Sequence, residues 1–146
     1  MITGASSGIG RAIAQAFAKN GDNLILTARR ENLLKEVQAE LETAYGIRVW
    51  TYTFDVTDQE TCLAQCQQIL EDVPSIDVLV NNAGLALGLE KFQDYGVLDM
   101  TTMIDTNIKG LLYVTRTILP SMVATNKGHV INIGSTAGIY AYAGAA

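Results

Sequence analysis

Residues Thr3 to Gly10 read Thr-Gly-Ala-Ser-Ser-Gly-Ile-Gly and run directly into an amphipathic helical pattern. Gly4, Gly8 and Gly10 lack a Cβ, so the main chain can turn tightly there and approach a bound group closely. A helix starting at such a turn points unpaired N–H groups and the positive end of its dipole into the loop, which favours phosphate. The chemistry expected of this segment is pyrophosphate binding in a dinucleotide-binding α/β domain. A plain strand-to-helix connector uses the same residues, so the turn needs support from elsewhere in the chain.

Further segments place polar or glycine residues next to predicted strands. Asn81-Asn82-Ala83-Gly84 follows the apolar run Ile76–Val80, Asn107 sits within Thr106-Asn107-Ile108-Lys109-Gly110, and Ser135 follows His129–Ile133. Each has a bland explanation. The first is a strand-exit turn, since Asn and Gly tolerate left-handed angles. The second is an incidental polar residue, although mid-helix asparagine is mildly unfavourable. The third is an N-cap or turn serine. Arg29 and Arg30 close the run Leu24–Ala28. An acid at the end of the second strand reads a free ribose 2′-OH, whereas two guanidiniums suit a 2′-phosphate through bidentate charge-assisted hydrogen bonds. The expectation is NADP(H) over NAD(H), against the alternative of a solvated arginine pair. Glu31 is the nearest acid and falls into the next helix, where it complements the helix N-terminus.

The elements that must position these residues alternate strand and helix. Ile9, Ile13, Ala16 and Phe17 recur at helical spacing up to Lys19-Asn20-Gly21, and Leu24–Ala28 has the character of a buried strand. Leu34, Val37, Leu41 and Ala44 stripe a second helix ending near Gly46, and the β-branched and aromatic run Ile47–Phe54 is a strand. Thr57-Asp58-Gln59-Glu60 has capping-box spacing and opens a third helix. Ile76–Val80 and His129–Ile133 are further strands, separated by a helical region from about Met100 to Thr125 that Asn107 and Gly110 interrupt. Strands separated by helices predict βαβ units and an α/β fold, a Rossmann-type doubly wound parallel sheet over residues 1–146 as a single domain. The strand that should feed the glycine turn is reduced to Met1 and Ile2, and the chain stops in the Gly/Ala-rich stretch Tyr142–Ala146. The expectation is a fragment truncated at both ends, lacking the central strand and so exposing two strand edges.

Composition narrows the function classes. The 146 residues are 49% apolar and 17% charged with a net charge of −5, a globular composition without the basic patch that nucleic acid or an anionic membrane requires. No apolar run spans a bilayer and no secretory pattern opens the chain, so the default location is the cytoplasm. Cys62 and Cys66 share a helix face and read as buried free thiols, because metal ligation needs more partners than these and the distant His129. No metal site is expected, and His129 reads as a surface residue at a strand start.

The spacing Gly4-x3-Gly8-x-Gly10 after Thr3, the Asn81-Asn82-Ala83-Gly84 exit, Asn107 in the long helical region and Ser135 after the last strand together resemble the short-chain dehydrogenase/reductase superfamily. The resemblance covers nearly the whole chain. It implies hydride transfer between a nicotinamide and a carbonyl or alcohol carbon, with cofactor contacts from Gly4, Ser6, Ser7, Gly8, Ile9, Gly10, Arg29, Arg30, Asn81, Ala83 and Gly84. Ala28 stands where NAD-binding members of the family place aspartate. Asp55-Val56 would meet the adenine, although a helix-approach residue without a ligand is an equal reading of Asp55. Ser135 would hydrogen-bond the substrate oxygen and Asn107 would hold a water linking the family's lysine to solvent. A homo-oligomer formed through two long helices is also implied, with Leu111, Leu112, Val114, Ile118 and Leu119 supplying the face. A fully buried helix would show the same pattern.

One part of the family pattern is missing. No Tyr-x-x-x-Lys occurs, since Gly144 and Ala146 stand four residues after Tyr140 and Tyr142. The family's tyrosine would fall just past Ala146, so the chain by itself is expected to be catalytically inactive. The longer contexts around Gly84, Asn107 and Ser135 resemble the NADP-dependent 3-hydroxy acid dehydrogenases, which act on serine, allo-threonine and related acids. The substrate expected for the parent protein is thus a small 3-hydroxy acid. A general carbonyl or 3-oxoacyl reductase and a non-catalytic nucleotide-binding protein on the same fold are the alternatives.

Overall fold

In a computed structural model, residues 1–88 and 90–139 are described. The elements are β1 Ile2–Thr3, α1 Gly8–Lys19, β2 Leu24–Ala28, α2 Glu31–Tyr45, β3 Val49–Thr53, α3 Gln59–Asp72, β4 Val78–Asn81, α4 Val97–Ile104, α5 Leu111–Ala124 and β5 His129–Asn132. The strands form one five-stranded sheet in the order β3-β2-β1-β4-β5, with every pairing parallel. The chain reverses its direction of travel across the sheet between β1 and β4. Ligands of open parallel sheets bind outside the carboxyl ends of the strands at such a switch point.

Two cores flank the sheet. Leu34, Val37 and Leu41 of α2 and Ala14 and Ala18 of α1 pack with Leu24, Leu26 and Val80 on one face. Cys62, Cys66 and Ile69 of α3 and Val114, Ile118 and Met122 of α5 pack with Ile25 and Leu79 on the other. Both faces of β2 are therefore covered, which is why all five of its residues are buried and its sequence is a continuous run rather than an alternation. Small residues on the inner side of α1 let that helix lie close to the sheet, and Gly46 ends α2 in a left-handed cap.

The expected loss of the central strand is only partial. Ile2 pairs with Leu26 on one side and Val80 on the other, and Thr3 pairs with Thr27, so a two-residue β1 closes the middle of the sheet at its carboxyl end. The N-cap of α3 also differs from the predicted capping box. Asp55 Oδ1 takes both the Thr57 N–H and the Thr57 hydroxyl at 2.9 Å, and this removes Thr57 from capping. Asp58 caps instead, accepting the Thr61 N–H at 3.2 Å. The predicted helical region begins at Val97 and is interrupted as foreseen, by a π-type segment, Asp105–Gly110, between α4 and α5.

The apolar stretch of α5 splits between two surroundings. Val114 and Ile118 are core, while Leu112 and Leu119 are exposed beside Val123. Cys62 and Cys66 are free and buried. The Cys66 thiol is held protonated, well above the usual range, by its hydrogen bond with Cys62 and by burial. His129 opens β5 and is exposed. Among the described residues no helix is long and apolar enough to cross a membrane, and no cluster of three or more His, Cys, Asp or Glu side chains could hold a metal ion.

Candidate functional site

At the carboxyl ends of β1 and β4 the chain leaves the sheet through two turns that are bonded to each other. Thr3 Oγ1 accepts the N–H groups of Asn82 at 3.0 Å and Ala83 at 2.9 Å. Asn82 Nδ2 returns the contact, donating to Thr3 O at 2.9 Å and Gly4 O at 3.3 Å. The close fit requires glycine at two positions. A Cβ on Gly4 would stand 2.9 Å from Ala83 Cα, and one on Gly10 would stand 2.5 Å from Gly4 O. Gly8 shares a positive φ with Gly4, +55° against +67°, but open space lies where its Cβ would be. There the backbone is bare toward the groove, as a cradle for a close-fitting ligand must be.

The start of α1 is electrostatically open. Its N-cap Ser7 makes no side-chain capping bond and its first turn holds no acid, so the N–H groups and dipole end face the groove uncompensated. Arg30 lies across the turn, its Nη2 donating to Ser7 Oγ at 2.8 Å and Ser6 Oγ at 3.3 Å. Arg29 pairs with Asp55 Oδ2 at 3.5 Å. Together with Ala28, Val56, Ala83 and Gly84 these residues line a cavity of about 150 Å³. β2 itself ends at Ala28, and two guanidiniums border the space together with the Asp55 carboxylate.

A second groove, of about 670 Å³, continues from the first through Gly4, Ser7, Ala83, Gly84 and Leu85. It runs past Gly8, Ile9, Asn81 and Asn107 to Asn132 and Ser135. Asn107 lies in the π-type segment, where its amide clamps Leu85. Its Oδ1 accepts the Leu85 N–H at 2.9 Å and its Nδ2 donates to Leu85 O at 2.8 Å. Ser135 caps the short turn Thr136–Gly138, with its Oγ accepting the Ala137 N–H at 3.1 Å. Ser135 is thus a turn serine that also lines the groove.

A family model described as short chain dehydrogenase matches residues 1–146. The chain belongs to the short-chain dehydrogenase family. It is 48% identical over 148 residues to the NADP-dependent 3-hydroxy acid dehydrogenase YdfG of Salmonella typhi, covering 99% of this chain and 56% of that protein. It is 46% identical over 145 residues to sulfoacetaldehyde reductase 2 of Chromohalobacter salexigens, covering 99% of this chain and 57% of the relative. Among solved structures, the crystal structure of serine dehydrogenase from Escherichia coli superimposes with a TM-score of 0.90 at 45% identity, covering 98% of this chain and 64% of that one. A serine dehydrogenase complexed with NADP⁺ in its closed form matches with a TM-score of 0.87 at 46% identity, over 98% of this chain and 56% of its own. The short-chain dehydrogenase chain spans little more than half the length of the curated relatives it matches.

The structure brings nearly all sequence-nominated residues of this short-chain dehydrogenase onto the two joined grooves. Gly10 is the exception, while Asn81 lines the second groove and bonds inward as well. Gly10 is packed against the Gly4 carbonyl and the Asn82 amide rather than open to the groove. Asn81 is 4% exposed and donates to Thr115 Oγ1 and Asn132 Oδ1, each at 2.8 Å, so it ties β4 to α5 and β5 from within. Sequence reasoning missed Thr3 and Asn82 as the residues that join the turns, and Asn132 in the groove wall. The doubled asparagine of Asn81-Asn82 was the available signal, since one amide bonds inward and the next reaches sideways to the glycine turn. Tyr140 and Tyr142 lie outside the described residues.

Proposed function

We propose that the protein carrying these residues is an NADP-dependent dehydrogenase interconverting a small 3-hydroxy acid and its 3-oxo acid, with residues 1–146 as one NADP-binding domain. The observation that supports this reading best is the continuity of the two grooves, with guanidiniums at one end, a bare glycine turn in the middle and the Ser135 hydroxyl at the other. The residues fit a dinucleotide bearing a 2′-phosphate. Arg29 and Arg30 would hold that phosphate, the start of α1 with Ser7, Gly8 and Ile9 would hold the pyrophosphate, and Asp55 and Val56 would meet the adenine. Ala83 and Gly84 would pass along the middle of the cofactor. Bound NADP(H) supplies or accepts the hydride at the substrate carbon.

The chain's own groups position the reacting oxygen. One lone pair of Ser135 Oγ is used by Ala137, which leaves its O–H to donate to the substrate oxygen. Asn107 keeps one Oδ1 lone pair and one Nδ2 hydrogen beyond its Leu85 bonds, enough to hold a water beside the groove. The 146 residues contain no Tyr-x-x-x-Lys, so we assign proton transfer to none of them and expect the chain alone to bind nucleotide without turnover. The names of the two relatives share a chemical feature that supports the substrate class. A 3-oxo acid and sulfoacetaldehyde both carry an anionic group one carbon removed from the carbonyl.

We further infer a homo-oligomer and a cytoplasmic location. The exposed side chains Ile108, Leu112, Leu119 and Val123 support the first, and the unpaired thiols Cys62 and Cys66 support the second. The test is an assay of the whole protein with NADP⁺ and L-serine or allo-threonine, beside NADPH with a 3-oxoacyl thioester. Turnover confined to the hydroxy acids supports the proposal. Turnover of the thioester alone points to a general carbonyl or 3-oxoacyl reductase, and tight NADPH binding without any turnover points to a non-catalytic nucleotide-binding protein.

A further inference from the structure

β3 is the outer strand of the sheet on the side of β2, so only one of its edges is paired. Register shows which backbone groups are left over. Leu24 N donates to Arg48 O at 2.9 Å and Phe54 N donates to Ala28 O at 3.1 Å, so Arg48, Trp50, Tyr52 and Phe54 turn their backbone groups toward β2. The N–H and C=O of the alternate residues Val49, Thr51 and Thr53 therefore point away from the sheet. An edge of this kind is a template for another strand. The segment itself suits such pairing, because Val-Trp-Thr-Tyr-Thr is β-branched or aromatic throughout and carries neither charge nor proline.

Side chains of α2 occupy the start of this edge. Val49 N donates to Glu42 Oε1 at 3.0 Å, and Val49 O accepts from Gln38 Nε2. Both outward groups of Val49 are thus bonded by side chains one helical turn apart. Lys35 extends the row, its Nζ donating to Thr51 Oγ1 at 2.8 Å and to Gln38 Oε1 at 3.3 Å. Lys35, Gln38 and Glu42 stand three and four residues apart, which puts them on one stripe beside the buried stripe of Leu34, Val37 and Leu41. Packing of the apolar stripe against the sheet therefore fixes the polar stripe along the edge. The outward backbone groups of Thr51 and Thr53 have no such bond among the described residues. On its other face β3 is held to α3, where the Tyr52 hydroxyl donates to Asp72 Oδ2 at 2.7 Å.

We propose that Gln38 and Glu42 close the β3 edge against a second copy of this chain, which without them would add its own β3 there. The uncharged strand is its own complement. Two copies related by a two-fold axis would pair Val49–Thr53 antiparallel, each satisfying the outward groups of the other. With Val49 already bonded, an incoming strand finds only Thr51 and Thr53 free. It must also bring its own Lys35 ammonium up to the Lys35 already beside Thr51, a meeting of like charges. Pairing over so short a length does not offset the entropy lost on association. Neither groove includes Lys35, Gln38 or Glu42, so this role is independent of the oxidoreductase reading.

The test compares the 146-residue chain with the double variant Gln38→Ala/Glu42→Ala, which removes both bonds to Val49, and with Glu42→Gln, whose amide oxygen still accepts from Val49 N. Alanine keeps the helix propensity of α2, and the ladder to β2 with the Tyr52 bond keeps β3 in place. In sedimentation equilibrium the double variant is expected to self-associate at least about tenfold more strongly than the unsubstituted chain, while Glu42→Gln matches the latter. Amide exchange at Thr51 and Thr53 of the double variant should slow at least about tenfold as the protein concentration rises. Adding Thr51→Pro removes an outward N–H and no bond to β2, so it should abolish the added association. If the proline variant does not fold, Thr53→Lys takes its place by setting a charge at the exposed end of the edge. Equal self-association of the double variant and the unsubstituted chain would overturn the proposal. So would a Glu42→Gln chain that associates as strongly as the double variant, or an added association that survives the edge-blocking substitution and so belongs to another surface.

Discussion

Arg30 is held in place before any ligand arrives, because its guanidinium already bridges the hydroxyls of Ser6 and Ser7 beside the glycine turn. Arg29 is more loosely placed, 66% exposed and 3.5 Å from Asp55. Such an exposed pair contributes little to stability and is readily exchanged for a stronger anion. Ala28→Asp combined with Arg29→Ala should therefore reverse the preference for NADPH over NADH, each lost charge-assisted bond weakening NADPH about tenfold or more. Fluorescence titrations with both nucleotides read this directly, and a double variant that still prefers NADPH would refute the assignment of the 2′-phosphate site. The glycines divide by what surrounds them. Gly8→Ala meets open space, so it should cost about 1 kcal/mol of stability for its positive φ yet weaken nucleotide binding about tenfold or more. Gly4→Ala drives a methyl into the Ala83 backbone and should cost about 1–3 kcal/mol of stability, measurable in urea.

At the scale of elements, the π-type segment between α4 and α5 is what brings Asn107 to the groove. A wider turn lets the chain keep its helical course on either side while its amide meets the backbone of Leu85. Glycine at the end of this segment is required by packing, since a Cβ on Gly110 would stand 2.6 Å from Val56 Cγ2. Asn107→Ala should cost about 1–2 kcal/mol through the two lost bonds to Leu85. Its more specific mark would be faster amide exchange at Leu85 with exchange in the cores of α3 and α5 unchanged. If exchange rises uniformly, the clamp is not local and this account of the π-type segment fails.

For the molecule as a whole, the buried ammonium of Met1 links stability to pH. Its pKa is 8.0 when free and about 5 in the fold, so the folded state disfavours the charged form. The associated stability is fully present above pH 8, declines as pH falls through the interval from 8 to 5, and is lost below. A shift of that size corresponds to roughly 4 kcal/mol as an upper figure. Urea midpoints of the 146-residue chain should fall between pH 8.5 and 5, and acetylating the amino group should flatten that slope. An unchanged slope after acetylation would assign the pH dependence to other groups. The two-sided cover of the sheet has a related consequence at this scale. Loss of either helical layer would expose one complete core, because the two apolar clusters are separated by the strands.

Local chemistry made the glycine turn, the alternation of strands and helices, the interruption around Asn107 and the paired arginines legible in the chain, because each depends on residues a few positions apart. The family followed from their order. What tertiary structure decided are contacts between residues far apart in sequence. The amide of Asn82 finds the carbonyls of Thr3 and Gly4, the Leu85 backbone finds Asn107, and Arg30 finds Ser6 and Ser7. No propensity or spacing encodes these, since each partner's position depends on how the parallel sheet orders its strands. The same holds for Ile2 and Thr3, whose sequence shows only a stub. Pairing on both sides makes that stub the centre of the sheet, because hydrogen bonding and burial there depend on the neighbours β2 and β4 rather than on the length of β1.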